Sequence, residues 1–408
     1  MNVLVLNSGS SSQKSCLYQI QHAPQGDPPE CIWQGKIDWS GKAPEVSIRS
    51  ARGDSSAGAA RNTGRGSVVE RMLQSLWSGK TKAVSGPSEI DVVGHRVVHG
   101  GPRFFEPVLL TSAVRTAIKK VSVFAPLHNR AELEGMAIAS KLLGAVPQVA
   151  VFDTGFHHDM PASASTYPGP YDWLKEGIRR YGFHGINHQY CSERTAQLLR
   201  RNPNRLRIVT CHLGNGCSLA AIKNGRSMDT TMGFTPLEGL MMGTRPGSVD
   251  PGILTYLMRH KKLSGGQIDE ILNQKSGLLG ISGISGDMRD ILAAVKKRNA
   301  RAKLAFDIYI HRLRLGIGSM IAVLGGIDAL VFTAGVGENS PKVRSSVCEN
   351  LLFAGIKLDQ KKNRKIPQDQ NISDRSASVP VLVIHAEEDW MIARQCWRLL
   401  QEKSRPIS

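Results

Sequence analysis

The chain opens on an apolar run, Val3-Leu4-Val5-Leu6. It breaks at residues 7–12 (Asn-Ser-Gly-Ser-Ser-Ser) and resumes from Lys14 to Tyr18. That pattern predicts a hairpin whose loop is small and polar. A second unit of the same kind lies in the other half. Residues 207–211 (Arg-Ile-Val-Thr-Cys) lead into His212-Leu213-Gly214-Asn215-Gly216, and 218–222 return to the turn Lys223-Asn224-Gly225. Two such units suggest a duplicated architecture in which each half offers one loop to a shared cleft. Helical spacing at 188–201, 287–298, 301–324, 341–353 and 388–402 intermixes with strand patterns at 91–98, 147–153, 207–222, 328–333 and 379–384, so the predicted class is α/β. Asp250-Pro251 predicts a helix start, with Ile253, Leu254 and Leu257 following at helical spacing. Residues 50–67 are too small and polar to pack and predict a mobile surface loop.

At 408 residues the chain exceeds what one core usually serves, which makes two domains the expectation. No apolar run approaches twenty residues, so no membrane partner is expected. The first strand begins without a cationic segment or a longer apolar stretch before it, which points to a cytoplasmic protein. Seven scattered cysteines with no Cys-x-x-Cys pair read as reduced, mostly buried thiols. The formal charge of +18 favours acidic partners such as a nucleotide. Much of the excess lies in 49–71 and 361–365, without interleaved aromatics on which bases could stack, so solvated surface is favoured over a nucleic-acid site.

Three glycine-rich turns could bring backbone N–H groups close to phosphate oxygens: residues 7–12, residues 212–216, and Gly335-Val336-Gly337-Glu338-Asn339 between a strand and a helix starting near Pro341. None is a Walker A sequence or a full dinucleotide fingerprint. Cationic and aromatic residues suited to a small anion gather in residues 94–101, which contain Arg96 and Val98, in Tyr181-Gly182-Phe183-His184-Gly185, and in Gly243-Thr244-Arg245-Pro246-Gly247. A strand-end arginine followed by glycines presents a planar fork to a carboxylate or phosphoryl group. His184 and His188 have the i, i+4 spacing of a zinc site, but Gly185 stands where the glutamate of His-Glu-x-x-His would be, which argues against zinc.

The chain resembles the acetate kinase family in the order and spacing of five segments. They are Phe152-Asp153-Thr154-Gly155-Phe156-His157, Tyr181-Gly182-Phe183-His184-Gly185, residues 212–216, residues 232–239 with Gly243-Thr244-Arg245, and residues 332–340. The resemblance spans nearly the whole sequence. It implies the actin, Hsp70 and sugar-kinase superfold (ribonuclease H-like): two related α/β domains around a nucleotide cleft, here residues 1–153 with 385–408, and 154–384 for nucleotide binding and dimerisation. It also implies phosphoryl transfer between ATP and acetate with Mg²⁺, or Mn²⁺, by a homodimer. Carried over by position, Asn7 and Glu387 would hold the metal. Lys14 and the turn His212, Leu213, Gly214, Asn215 and Gly216 would face the phosphates. Asp287, Met288 and Arg289, with Gly335, Val336, Gly337, Glu338 and Asn339, would surround the nucleoside. Arg96 would bind the carboxylate, Val98, Leu127, Phe183 and Pro236 would line the acyl pocket, and His184 and Arg245 would stabilise the transferring group. Asp153 has a proton-transfer role in the family.

A carboxylate acceptor is already ionised near neutral pH and has no proton to give up. Asp153 is therefore expected to orient Arg96 or metal-bound water instead. Two departures from the family pattern bear on the site: Pro246-Gly247-Ser248 replaces an acid-containing segment after Arg245, and His385-Ala386 precedes Glu387 where Thr-Asn is common. The rival readings are a propionate or butyrate kinase of the same family, and a non-catalytic ATP-binding switch on the same fold.

Overall fold

The structure is a computed structural model. It describes all residues except 10–11, 24–25, 40, 42, 62–63, 123–125, 366–368 and 405–408, and only the backbone of 126–128 and 403–404. Residues 10–11 of the first glycine-rich turn and the side chain of Leu127 therefore lie outside the described residues. The chain forms two compact units, Met1–Gly155 with Glu387–Ser408, and Phe156–Ala386.

In the first unit, Val3, Leu4, Val5 and Leu6 are at most 1% exposed, so the strand β1 (Asn2–Ser8) is covered on both faces. It pairs antiparallel with β2 (Ser12–Gln19), which continues into β3 (Trp33–Asp38), β4 (Glu45–Ser50) and β5 (Ser55–Ala59). On its other edge β1 runs parallel to β6 (Val92–Val97), which is parallel to β8 (Gln148–Phe152), and β7 (Val108–Leu109) closes that side. The helices Pro126–Leu143 and Glu388–Ser404 both pack on β1 and β6.

The second unit has six strands: β9 (Arg207–Leu213), β10 (Cys217–Lys223), β11 (Arg226–Thr230), β12 (Ala329–Thr333), β13 (Gln370–Asn371) and β14 (Val381–Val383). Their order is β11-β10-β9-β12-β14-β13. β9 and β10 form a hairpin, β11 extends it antiparallel, and β12 and β14 follow parallel to β9. The same five-strand order, three antiparallel and then two parallel, is that of β3-β2-β1-β6-β8 in the first unit. The expected α/β class and its two related domains are thus present.

Two expectations are corrected. Residues 50–67 are not one loop, because Ser55–Ala59 is the edge strand β5 and Arg65 starts the helix Arg65–Gln74. All five side chains of β5 are exposed, so the backbone ladder to β4 holds it and no apolar alternation marks it. The region 335–339, read as a loop, is a short helix, Ala334–Asn339. The helix Pro251–His260 does start at Asp250, whose Oδ1 accepts from Gly252 N at 2.8 Å, yet none of its side chains is buried. Among the described residues no helix is long and apolar enough to cross a membrane.

Gly94 in β6 sets how closely the C-terminal helix approaches the sheet. A Cβ there would lie 2.6 Å from Cys396 Sγ and 2.7 Å from Ile392 Cγ2. Gly94→Ala should lower the stability of this unit by about 1–3 kcal/mol. Denaturant unfolding checks it, and adding Cys396→Ala should recover part of the loss because the closest clashing atom is gone.

Candidate active site

In the first unit the polar groups stand at the carboxyl ends of parallel strands. Arg96 is the penultimate residue of β6 and Asp153 directly follows β8. Arg96 Nη2 donates to Asp153 Oδ2 at 2.7 Å, and Arg96 Nε lies 4.0 Å from Glu388 Oε2. Asp153 is fully buried, while the Arg96 side chain keeps 11% exposure. Burial alone would lower the pKa of Arg96, but Asp153, Glu388 and Glu132 outweigh it and raise it, so the guanidinium is permanently charged. Glu132, on the helix Pro126–Leu143, accepts from Val98 N at 3.1 and 3.2 Å. Burial pushes its carboxyl up to about 8, against the lowering effects of Arg96 and that N–H.

Asn7 and Lys14 face each other across the β1–β2 hairpin. Asn7 Nδ2 donates to Glu388 Oε2 at 3.1 Å and to Asp389 Oδ1 at 2.9 Å, at the start of the C-terminal helix. Its amide nitrogen is thereby committed, and the amide oxygen is the atom that could face a cation. Glu387 is half-buried just before that helix. One amide and one or two carboxylates are the oxygen donors a hard divalent cation takes when water and substrate phosphates complete its shell, and among the described residues no cluster of three or more ligating side chains is gathered.

In the second unit Arg245 and His184 meet at Gly216. A Cβ on that glycine would lie 2.7 Å from Arg245 Nη2 and 3.5 Å from His184 Nε2. His184 has φ of 57° and stands immediately before the helix Gly185–Leu199. Its ring stacks on His212, with centroids 3.9 Å apart and planes within 8°. His184 Nδ1 is 2.9 Å from Ser218 Oγ, which is also 2.7 Å from His188 Nε2, and His188 Nδ1 is 2.6 Å from Thr210 Oγ1. His188 is thus engaged by two hydroxyls, and burial holds its pKa well below the ordinary histidine value. Arg245 Nη1 donates to Pro236 O at 2.6 Å, so a carbonyl does what an acid after Arg245 would have done. Gly247 has φ of 74°, and Ser248 is tied to Gly239 by backbone and side chain, which fixes the departing Pro-Gly-Ser segment.

The turn 214–216 is held by Gly214 N donating to Gly216 O, and Gly243 N donates to Asn215 O at 3.1 Å. Leu213 ends β9, fully buried. In the short helix Ala334–Asn339, the carbonyls of Gly337 and Glu338 each accept from Arg344 Nη1 at 2.7 Å. Gly335 O accepts from Asn339 Nδ2 at 2.9 Å, and Val336 O accepts from Ser340 N. The Glu338 carboxylate takes Ala386 N at 3.0 Å and His385 Nδ1 at 2.5 Å, which gives the unusual His385 a partner. Asp287 caps the helix Met288–Lys296, Met288 is buried in it, and Arg289 folds back on Asp287 while staying exposed. Val98 is buried in the first unit; Phe183 is buried and Pro236 half-buried in the second.

Sequence reasoning missed several supports. Arg65 donates to Gly9 O at 2.8 Å and lies 3.9 Å over the Trp39 ring, anchoring the first glycine-rich turn. Arg180 donates to the carbonyls of Thr230, Thr231 and Met232, each at 3.1 Å, and to Glu238 Oε1 at 2.7 Å, while Tyr167 donates to the other oxygen of Glu238. These bonds fix the segment whose Pro236 carbonyl holds Arg245. Glu238 sits within a recognised motif and was findable. Arg65, Glu132 and Ser218 carry no sequence signal of their own.

Glu132 makes this unit pH-sensitive. Its folded pKa is raised, so its contribution is full below the unfolded value near 4.5 and is lost as pH rises through about 8. Glu132→Gln should flatten the fall in unfolding midpoint between pH 5 and 8 and make the variant the more stable chain at pH 8. Thermal melts across that range check it.

A profile of the acetokinase family matches residues 2–394. The acetate kinase of Trichormus variabilis is 56% identical over 403 residues, covering 98% of this chain and 100% of that protein. The acetate kinase of Cyanothece sp. is 52% identical over 407 residues, covering 99% and 100%. Among solved structures, Porphyromonas gingivalis acetate kinase is similar with TM-score 0.87 and 42% identity, covering 98% of this chain and 99% of that one. A propionate kinase from Francisella tularensis also has TM-score 0.87, with 36% identity and coverage of 97% and 98%. With polar strand ends in both units and a match along nearly its whole length, this chain belongs to the acetokinase family.

Proposed function

We propose that the chain transfers the γ-phosphoryl group of ATP reversibly to acetate, giving acetyl phosphate and ADP. The observation that carries the reading is the convergence of a half-buried arginine and a half-buried histidine, Arg245 and His184, on the side-chain-free Gly216 in a member of this family. An acetate oxygen attacks the γ-phosphorus, the bond to the bridging oxygen breaks, and ADP leaves with the electron pair. The protein's task is alignment and neutralisation of the equatorial oxygens. Arg245 and His184 donate to those oxygens, and losing either should cost roughly 3 kcal/mol, about a hundredfold in rate.

Arg96 binds the acetate carboxylate. Asp153 orients that guanidinium, consistent with the 2.7 Å bond between them, and takes no proton from a substrate that has none to give. Lys14 and the turn 212–216 face the phosphates, and residues 287–289 with 335–339 surround the nucleoside. Asn7 and Glu387 would hold Mg²⁺, which when bound would neutralise phosphate charge. Within the same reading the protein is a cytoplasmic homodimer. The exposed apolar Ile253, Tyr256 and Met258 on the helix Pro251–His260 are the kind of surface a second copy would cover.

Val98 in the first unit, and Phe183 and Pro236 in the second, are residues the family resemblance assigns to acyl recognition, and the rival substrate is propionate. One methylene in an apolar pocket is worth about 1–3 kcal/mol, so propionate is a poorer substrate and not an excluded one. The test is an ATP assay with acetate, propionate and butyrate, trapping acyl phosphate with hydroxylamine. Product should be greatest with acetate, and no product with any acid overturns the reading. Val98→Ala should shift kcat/KM toward propionate by about tenfold; an unchanged ratio removes Val98 from acyl recognition. Asp153→Asn should raise the KM for acetate and lower kcat across the whole pH range. If the variant merely erases one ionisation from the rate profile, Asp153 is a proton carrier after all.

A further inference from the structure

Four histidines lie within ring-contact distance in the second unit: His184 on His212 at 3.9 Å, His212 near His188 at 6.1 Å, and His188 near His157 at 5.6 Å. Two imidazolium rings at the first spacing would repel strongly in a poorly solvated interior. The stack therefore favours neutral rings, and a neutral imidazole has one N–H and one lone pair, so its hydrogen bonds have a direction.

The direction is constrained by Ser218. Its hydroxyl has a single proton and two ring nitrogens against it, His184 Nδ1 at 2.9 Å and His188 Nε2 at 2.7 Å, with no third hydrogen-bond partner among the described residues. The proton goes to one ring, and the other ring must donate. If His188 donates from Nε2, its Nδ1 accepts from Thr210 Oγ1–H, Ser218 donates to His184 Nδ1, and the His184 proton sits on Nε2. If every bond is reversed, His184 Nε2 carries a lone pair. That nitrogen is the one turned toward Gly216 beside Arg245, where an anionic oxygen would be repelled by it.

We propose that Thr210, His188 and Ser218 form a directed hydrogen-bond relay that fixes His184 as the Nε2–H tautomer, so that a neutral imidazole donates to the transferring phosphoryl group. The proposal rests on the phosphoryl-transfer reading and adds three positioning residues to it. None of the three needs to touch substrate. His188 suits the middle place, because burial disfavours its charged form and a neutral ring accepts on one nitrogen and donates from the other. His212 has the same polarity independently: Asn187 Nδ2 donates to its Nδ1 at 2.8 Å, which puts its proton on Nε2 as well.

The test is made on the full chain labelled with ¹⁵N-histidine, reading each ring's tautomer from two-bond ¹H–¹⁵N spectra at neutral pH, alongside kcat and KM. Wild type should show His184 with its proton on Nε2. Ser218→Ala should convert that signal to a tautomer mixture and lower kcat about tenfold to a hundredfold, with the KM values for ATP and acetate changed much less. Thr210→Val, which keeps shape and removes only the hydroxyl, should move the His188 signal and lower kcat in the same sense, while Thr210→Ser should behave as wild type. A wild-type His184 protonated on Nδ1 overturns the relay, as does a Ser218→Ala chain with unchanged tautomer and unchanged kcat. A wild-type chain with Nε2–H His184 that yields no acyl phosphate supports the relay and removes the substrate assignment, so the two failures are distinguishable.

Discussion

A sheet buried on both faces can offer its polar groups to solvent and substrate only at its strand ends, and that constraint organises both units. β1 and β8 are apolar through their centres and, with β6, deliver Asn7, Arg96 and Asp153 at or just past their carboxyl ends. β9 delivers His212, and β12 runs into the short helix 334–339. The rule for open α/β sheets, that ligands bind beyond the carboxyl ends of parallel strands, is here a consequence of where water and substrate can reach. The hairpin and third strand add a twisted antiparallel flank in each unit, which is why a glycine-rich turn recurs between the first two strands of each.

Burial also decides which groups keep their charge. Removing one partner from a buried pair strands the other and typically costs several kcal/mol, so Arg96 and Asp153 are better viewed as one device than as two residues. Glu132 lies close enough to contribute to the same field, yet it is the group that yields. With its pKa near 8 it is mostly protonated at neutral pH, which leaves Asp153 as the direct partner of Arg96 and Glu388 at the edge. A third full negative charge there would compete with a substrate carboxylate for the same guanidinium. A cation neutralised completely by its own protein would be a poor receptor for an anion.

Much of this was legible in the sequence. The paired strand-loop-strand units, the strand-end arginines and the long glycine-bearing motifs gave the class and the candidate residues, because periodicity and glycine placement are local signals. What stayed hidden is what depends on distant partners. β5 has no apolar alternation because a neighbouring backbone, not a core, holds it. Glu132 reads as one more helical glutamate until its burial under Val98 is known. Arg180 reads as surface charge, although it collects three carbonyls and Glu238. The acid missing after Arg245 looked like a defect, and the Pro236 carbonyl, nine residues earlier, removes the difficulty.

The division between charged and neutral donors follows from what each must recognise. Acetate carries its full charge before, and loses it during, the reaction, so a permanent guanidinium is suited to holding it. The γ-phosphoryl group is highly charged in bound ATP already, and a second cation beside Arg245 would strengthen ground-state binding as much as transition-state binding, which raises affinity without raising kcat. A neutral N–H avoids that penalty, provided its direction is fixed in advance and needs no reorganisation at the moment of transfer. Imidazoles and hydroxyls linked in series meet that requirement in a dry interior, because each bond made in one direction forces the next. The stacking of His184 on His212 then does for the ring plane what the proposed chain of bonds does for the proton.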